Sequence, residues 1–456
     1  MGKKGHVVVT PYPAQGHLGP LMKLAYKIAQ HGIKVTFVNA DYIHDQILSC
    51  MPHNFEEHKI PIRLVPVSTK YDRKDGLELI KSVLSNMPCN LLKLIEKLNE
   101  ENKDEKVSCV VTDPTAWWGI EVAKTLGIKG ATLVPFGVGN FCLDLHSPKL
   151  IDSGFIDHNG VPLKDELIYL SKETLPWNTK ELTWSMPNAP EIQKFVFRNF
   201  TLKNTQTLNN SDWILVNSFY ELEQSSYNLI PKALPVGPLI TTTINSDPFP
   251  GNIWNEDSTC LNWLHQQPKN SVIYAAFGST TICNQQQFHE LAYALELMGQ
   301  PFLWVVRSNF TQDGKSVEFP QGFKERVGKI GKIVEWAPQE KVLAHSSISC
   351  FFSHCGWNST IEGVSNGVPF LCWPYYTDQM RNGRIISEFW KVGVRVFPDE
   401  FGIVTRYEIK SKMENLLCRP DIKANAVKLM AMATKSISEG GSSSENFMSF
   451  IQDIKH

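Results

Sequence analysis

Strand-like and helix-like patterns alternate along this chain in two separate runs, and any fold has to accommodate that alternation. His6 to Thr10 (HVVVT) is a short β-branched run, and a Pro- and Gly-rich loop, Pro11 to Gly16, follows it. From His17 the apolar residues Leu18, Leu21, Met22, Leu24, Ala25 and Ile28 recur at helical spacing. Gly32 then ends the helix and Lys34 to Val38 reads as the next strand. Cys109–Thr112 and Ala131–Val134 are further strand candidates. Repetition of this kind predicts an α/β fold, a parallel sheet with helices on both faces.

The pattern breaks between Ser147 and about Pro190 into Pro-, Asn- and Trp-containing segments, read as loops and short helices. It breaks again at Leu234-Pro-Val-Gly-Pro238 through Ile253, which is rich in Pro, Thr, Ser, Asn and Gly. Beyond that point strands are expected at Ser271–Ala276, Phe302–Val306, Ser349–Phe352 and Pro369–Cys372, with a helix from Gln285 to Leu297. A chain of 456 residues exceeds the usual single domain. The expected division is a first Rossmann-like domain over residues 1–240, a linker over 241–253, a second such domain over 254–435, and a C-terminal helical segment, 436–456, returning to the first domain. Two open α/β domains would place a ligand cleft at the carboxyl ends of their strands.

A formal net charge of -1 gives no electrostatic reason to expect a nucleic-acid or anionic-membrane partner. The ten cysteines form no CxxC pair, and several lie in apolar runs, so they read as free thiols in a reducing compartment. Neither a signal-peptide pattern nor an apolar run of membrane-spanning length is present, and the expected location is the cytoplasm.

The richest chemistry lies between Trp336 and Gln379. Trp336 ends a strand-like run, Lys332 to Glu335. Its indole suits either a core position or a stacking platform for a base, with Gln339 near enough to satisfy a polar edge. Ser353-His-Cys-Gly-Trp-Asn-Ser-Thr360 joins a strand to a helix, and Gly356 permits close backbone approach. A helix N-terminus exposes unpaired N–H groups that suit a diphosphate, although Asn358 and Ser359 equally fit as N-caps. His354 is less easily explained by capping. Glu362 can accept two ribose hydroxyls or simply complement the helix dipole. Asp378 and Gln379 can bind vicinal sugar hydroxyls, or Asp378 can serve as a cap. No metal-ligand spacing is present, and no metal is expected.

Taken together, residues 336–379 resemble the signature segment of the plant secondary-product UDP-glycosyltransferases, without insertion or deletion. The resemblance extends to the His17 loop, the Phe277-Gly-Ser279 turn and the two-domain layout. It implies a GT-B fold. It assigns Trp336, with Ala337 and Gln339, to the uracil, and Ser279, His354, Gly356, Asn358 and Ser359 to the diphosphate. Glu362 falls to the ribose, and Trp357, Asp378 and Gln379 to the sugar. A closing Gln goes with UDP-glucose in this family. UDP-glucose would be a donor substrate, with no cofactor, and the enzyme would be a monomer.

A transferase of this kind needs a base for its acceptor. His17 sits where loop becomes helix, which disfavours imidazolium and suits either a base or an ordinary helix start. Asp113 follows the Cys109–Thr112 strand, as a partner for His17 or as the first residue of an Asp-Pro turn. The resemblance places the catalytic His and its Asp at these two positions. It implies inverting O-glucosyl transfer to a small lipophilic, phenolic or flavonoid-like acceptor. Transfer to N, S or C, and a silent nucleotide-sugar- or hormone-binding protein, are the alternatives. Met87, Trp117, Trp118, Phe136, Phe141, Trp184 and Phe197 are candidate acceptor-pocket residues that serve equally as core. Where many relatives carry Ser or Thr beside the sugar, this chain has Gly137 and Val138.

Overall fold

The computed structural model describes residues 5–51, 61–70, 76–186, 189–240, 251–308, 310–311 and 318–455. The chain divides into two compact units, Met1–Trp254 with Lys435–His456, and Asn255–Thr434. Most of the segment expected as a linker, residues 241–250, lies outside the described residues.

The first unit is built on seven parallel strands: β1 (His6–Thr10), β2 (Lys34–Ala40), β3 (Arg63–Val67), β4 (Val107–Thr112), β5 (Lys129–Val134), β6 (Trp213–Val216) and β7 (Ala233–Pro235). Their spatial order is β3-β2-β1-β4-β5-β6-β7. The central strands are apolar on both faces because helices cover both: Val7, Val8, Val9, Val110 and Val111 have no exposed surface. The order reverses between β1 and β4, where Thr10 pairs with Thr112. Chains leaving these two strands therefore emerge side by side at the carboxyl edge, the usual ligand position in such sheets. The C-terminal helix Ser442–Ile454 contributes Phe447, Phe450, Ile451 and Ile454 to this unit's core. Asp453 on that helix accepts from Lys129 Nζ (2.8 Å) and Trp213 Nε1 (2.7 Å).

The second unit repeats the plan with six parallel strands: β8 (Val272–Ala276), β9 (Phe302–Val305), β10 (Gly331–Val334), β11 (Ile348–Ser353), β12 (Phe370–Cys372) and β13 (Gly393–Arg395). Their order, β10-β9-β8-β11-β12-β13, reverses between β8 and β11, where Ala276 pairs with Ser353. Phe277, Phe288, Trp304, Phe352 and Trp373 anchor its core.

Candidate active site

In the first unit the switch point holds His17 and Asp113. The loop after β1 ends at Ala14, and the helix Gln15–Ala29 carries His17 in its first turn. Asp113 directly follows β4 and is fully buried. His17 Nδ1 lies 3.0 Å from Asp113 Oδ1. That oxygen also accepts from the backbone N–H groups of Thr115 (2.9 Å) and Ala116 (3.2 Å), while Oδ2 accepts from Tyr12 N–H at 2.6 Å. An ionised carboxylate is acceptor only, so the imidazole donates its Nδ1 proton and its basic lone pair resides on Nε2. The His17 side chain keeps 21% of its surface exposed.

Aromatic rings lead away from His17: Tyr12 edge-on at 5.3 Å, Phe200 against Tyr12 at 5.8 Å, and Phe195 against Phe200 at 6.4 Å. These are not the rings singled out from sequence. Met87, Trp118, Phe141, Trp184 and Phe197 have no exposed surface and pack in the cores, the second of the two positions the sequence left open for them. Trp184 packs on Phe197 at 5.0 Å and donates Nε1–H to the Gly160 carbonyl. Trp117 and Phe136 alone of the seven keep some surface. Trp117 donates to the Asn199 carbonyl at 2.9 Å and lies under Lys203 Nζ. Gly137 caps the helix Val138–Asp152, and the N–H groups of Val138 and Gly139 donate to Glu223.

In the second unit the switch point gathers the loops after β8 and β11. Buried His354 packs between them so closely that a Cβ on Gly278 would overlap its Nε2, and a Cβ on Gly356 would stand 2.5 Å from it. Gly278 also has φ +72°, a left-handed conformation that L side chains avoid. Burial first, and the Arg307 charge second, push His354 down to about 4, against an opposing effect of the Ala276 backbone, so the ring is neutral. Cys355, at φ +64°, turns the chain sharply into the helix Trp357–Ser365. Gly356 is its N-cap and offers no side-chain acceptor of its own. The first-turn N–H groups of Trp357, Asn358 and Ser359 precede the first intrahelical donor, Thr360, which reaches the Gly356 carbonyl at 2.9 Å. Ser279 lies half-buried after β8.

Gln339 begins the helix Gln339–Leu343, and its amide donates to Ser359 Oγ (2.9 Å) and Glu362 Oε2 (2.8 Å) while accepting from Tyr274 O–H (3.2 Å). Four side chains from β8 and two helices thus form one polar cluster. Trp336 is half-buried beside buried Ala337, and its carbonyl accepts from Asp257 N–H at 2.9 Å. Asp378 accepts from Asn382 and Thr377, and burial raises its pKa despite them. Gln379 Oε1 accepts from Tyr375 N–H at 3.0 Å. Trp357 is buried against Trp390.

Three contributors escaped the sequence reading. Tyr12 acts through its backbone N–H and its ring, and Tyr274 points its hydroxyl out of a strand interior. Buried Arg307, just past β9, donates to the Thr281 carbonyl at 2.5 Å. A charged residue at a strand's carboxyl end was the one signal available for the last.

Two Rossmann-like parallel-sheet units, each with polar groups collected at its switch point, define the GT-B class of α/β proteins. The chain belongs to the UDP-glucoronosyl and UDP-glucosyl transferase family, whose model matches residues 7–436. It is a UDP-glycosyltransferase of the plant type. It is 36% identical to UDP-glycosyltransferase 83A1 of Arabidopsis thaliana, over 99% of this chain and 97% of that one. It is 30% identical to linamarin synthase 1 of Manihot esculenta, again over 99% and 97%. Among solved structures it is similar to Os79 from O. sativa in complex with UDP (TM-score 0.80, 26% identity, covering 98% of this chain and 100% of that one). Among the described residues no helix is long and apolar enough to cross a membrane.

Proposed function

We propose that this enzyme transfers glucose from UDP-glucose to a hydroxyl of a small lipophilic, phenolic or flavonoid-like acceptor, with inversion. The observation that carries this reading is the His17–Asp113 pair, held so that Nε2 is the basic atom. A phenol has a pKa near ~10, and a neutral imidazole in hydrogen-bond reach takes its proton as the oxygen attacks. The new bond forms from the acceptor oxygen to the anomeric carbon while the carbon–oxygen bond to the diphosphate breaks, and UDP leaves with the electron pair. Asp113 stabilises the imidazolium that forms. A single displacement turns an α-linked donor into a β-glucoside.

The donor roles follow the clusters of the second unit. Trp336, with Ala337 and Gln339, takes the uracil. Glu362, already the acceptor for Gln339, takes the ribose hydroxyls. Ser279, neutral His354, Gly356 and the first-turn N–H groups at Asn358 and Ser359 receive the diphosphate. Trp357, Asp378 and Gln379 face the sugar. All of these groups are the chain's own, and the reading calls on no cofactor. Os79 was crystallised with UDP, in keeping with the donor assignment. The aromatic run Tyr12–Phe200–Phe195 beside His17 favours a flat acceptor.

The reading includes a monomer in the cytoplasm. All ten cysteines are free, which suits a reducing setting. The test is the anomeric configuration of the product formed from UDP-glucose and a simple phenol. A β-glucoside supports direct displacement, and an α-glucoside overturns it.

A further inference from the structure

The helix that carries His17 starts poorly by its own sequence. Its N-cap is Ala14, which has no side-chain acceptor, and Gly16, Gly19 and Pro20 all fall in its first two turns. Ala at an N-cap forgoes the side-chain acceptor that Ser or Asp would supply, and glycines weaken a helix further. A base aimed from such a turn requires an anchor outside the helix.

Gln15 supplies one. Its Nε2 donates to the Gly251 carbonyl at 3.0 Å and to Asn252 Oδ1 at 3.2 Å, and its Oε1 accepts from Ile253 N–H at 3.0 Å. The amide therefore pairs with the C=O and N–H groups that bracket Asn252, as a neighbouring peptide would. Gly19, one turn on, lies beside the same segment: a Cβ there would stand in ordinary contact, 3.9 Å from the Gly251 carbonyl. Ile253 packs on the core that contains Leu18 and Leu21. Residues 251–253 lie just before Trp254, where the chain leaves the first unit to enter the second at Asn255.

We infer that Gln15 is a positioning residue, clamping the 251–253 backbone to the first turn of the helix so that His17 is held in register with Asp113. This rests on the reading of His17 as the base. Gln15 touches neither substrate nor the reacting atoms. Its effect belongs in kcat, through the geometry of proton transfer, and not in donor affinity. Loss of the clamp frees the connector end and the helix start together.

The experiment compares Gln15→Ala, Gln15→Glu and His17→Ala with the wild type. It measures kcat per folded enzyme, UDP affinity by titration, and hydrogen exchange at residues 251–253. Gln15→Glu keeps an acceptor for Ile253 but cannot donate to Gly251, so it reports on the donating half if the alanine variant folds poorly. The expected result is faster exchange at 251–253, kcat lower by about tenfold or more, and UDP affinity within twofold of wild type. Unchanged exchange, or faster exchange with wild-type kcat, overturns the inference while an inactive His17→Ala leaves the base intact. Wild-type turnover by His17→Ala removes the base assignment, and this inference with it.

Discussion

Asp113 holds His17 through a 3.0 Å contact to Nδ1 while three backbone N–H groups saturate its remaining acceptor sites. No neutral isostere satisfies that arrangement. In Asp113→Asn, one side-chain position becomes an NH₂ group. It faces either Tyr12 N–H or the trio of Thr115, Ala116 and His17, so one donor meets another. An unsatisfied buried donor costs about 1–3 kcal/mol. The expected outcome is a destabilisation of that size by denaturant titration, and kcat lower by roughly 10²-fold or more as the tautomer is lost.

The two glycines against His354 give a test of the donor site that leaves the first unit alone. Gly356→Ala would place a Cβ 2.5 Å from Nε2 and displace the ring, while Gly278→Ala would add a left-handed backbone to the same clash. UDP affinity should fall at least tenfold in each, and further for Gly278→Ala. Calorimetric titration with UDP checks this, with circular dichroism confirming that the fold persists.

Glu362 accepts from Gln339 at 2.8 Å in a cluster that also holds Ser359 and Tyr274. Hydrogen bonds to a charged acceptor are worth about 1.5–3 kcal/mol. Glu362→Ala should therefore weaken UDP binding by roughly 10- to 100-fold, with a smaller effect on binding of a 2′,3′-dideoxy analogue that already lacks the ribose hydroxyls. Equal losses for both ligands would move Glu362 off the ribose.

His354 and His6 are both buried, and burial pushes each down to about 4. An unfolded histidine titrates near ~6.5. Between those values the unfolded chain binds a proton that the folded chain refuses, so stability falls as pH drops from about 6.5 toward 4 and these rings contribute no pH dependence above 6.5. A shift of this size corresponds to roughly 3 kcal/mol per ring at the acid end. His354→Asn should show a flatter decline of Tm over that window than wild type, measured by scanning calorimetry at several pH values.

Strands built of β-branched runs were legible in the sequence, and so was the placement of Asp113 directly after β4 and of His17 where the loop after β1 becomes a helix. Edge strands were less so: β10 was legible as the run Lys332 to Glu335, but β3, β7 and β13 were not. β3 contains Pro66 and Arg63, which read against a strand, yet an edge position tolerates a missing ladder donor. β13 has only three residues, too few to show a period. The side chains gathered around Gln339 and Glu362 could be singled out because they fall in one span, whereas Arg307 and Tyr274 come from elsewhere and join them only through sheet order. Which of the aromatic candidates enter the core was not legible, because burial depends on which way a helix faces. Phe195 and Phe197 are two residues apart on Pro190–Asn199 and so lie on different faces. Phe197 enters the core and Phe195 joins the rings that lead to His17.

The most direct measurement of the central claim is mass detection of product from UDP-glucose and a panel of flavonoids, simple phenols and terpenoid alcohols, with His17→Ala run alongside. The expected result is a product one hexose heavier than its acceptor, UDP release that requires the acceptor, and turnover lower by roughly 10²–10⁴-fold in the variant with UDP binding intact. A wild-type enzyme that binds UDP-glucose yet glucosylates none of these acceptors, or a His17→Ala variant that turns over like wild type, would contradict it.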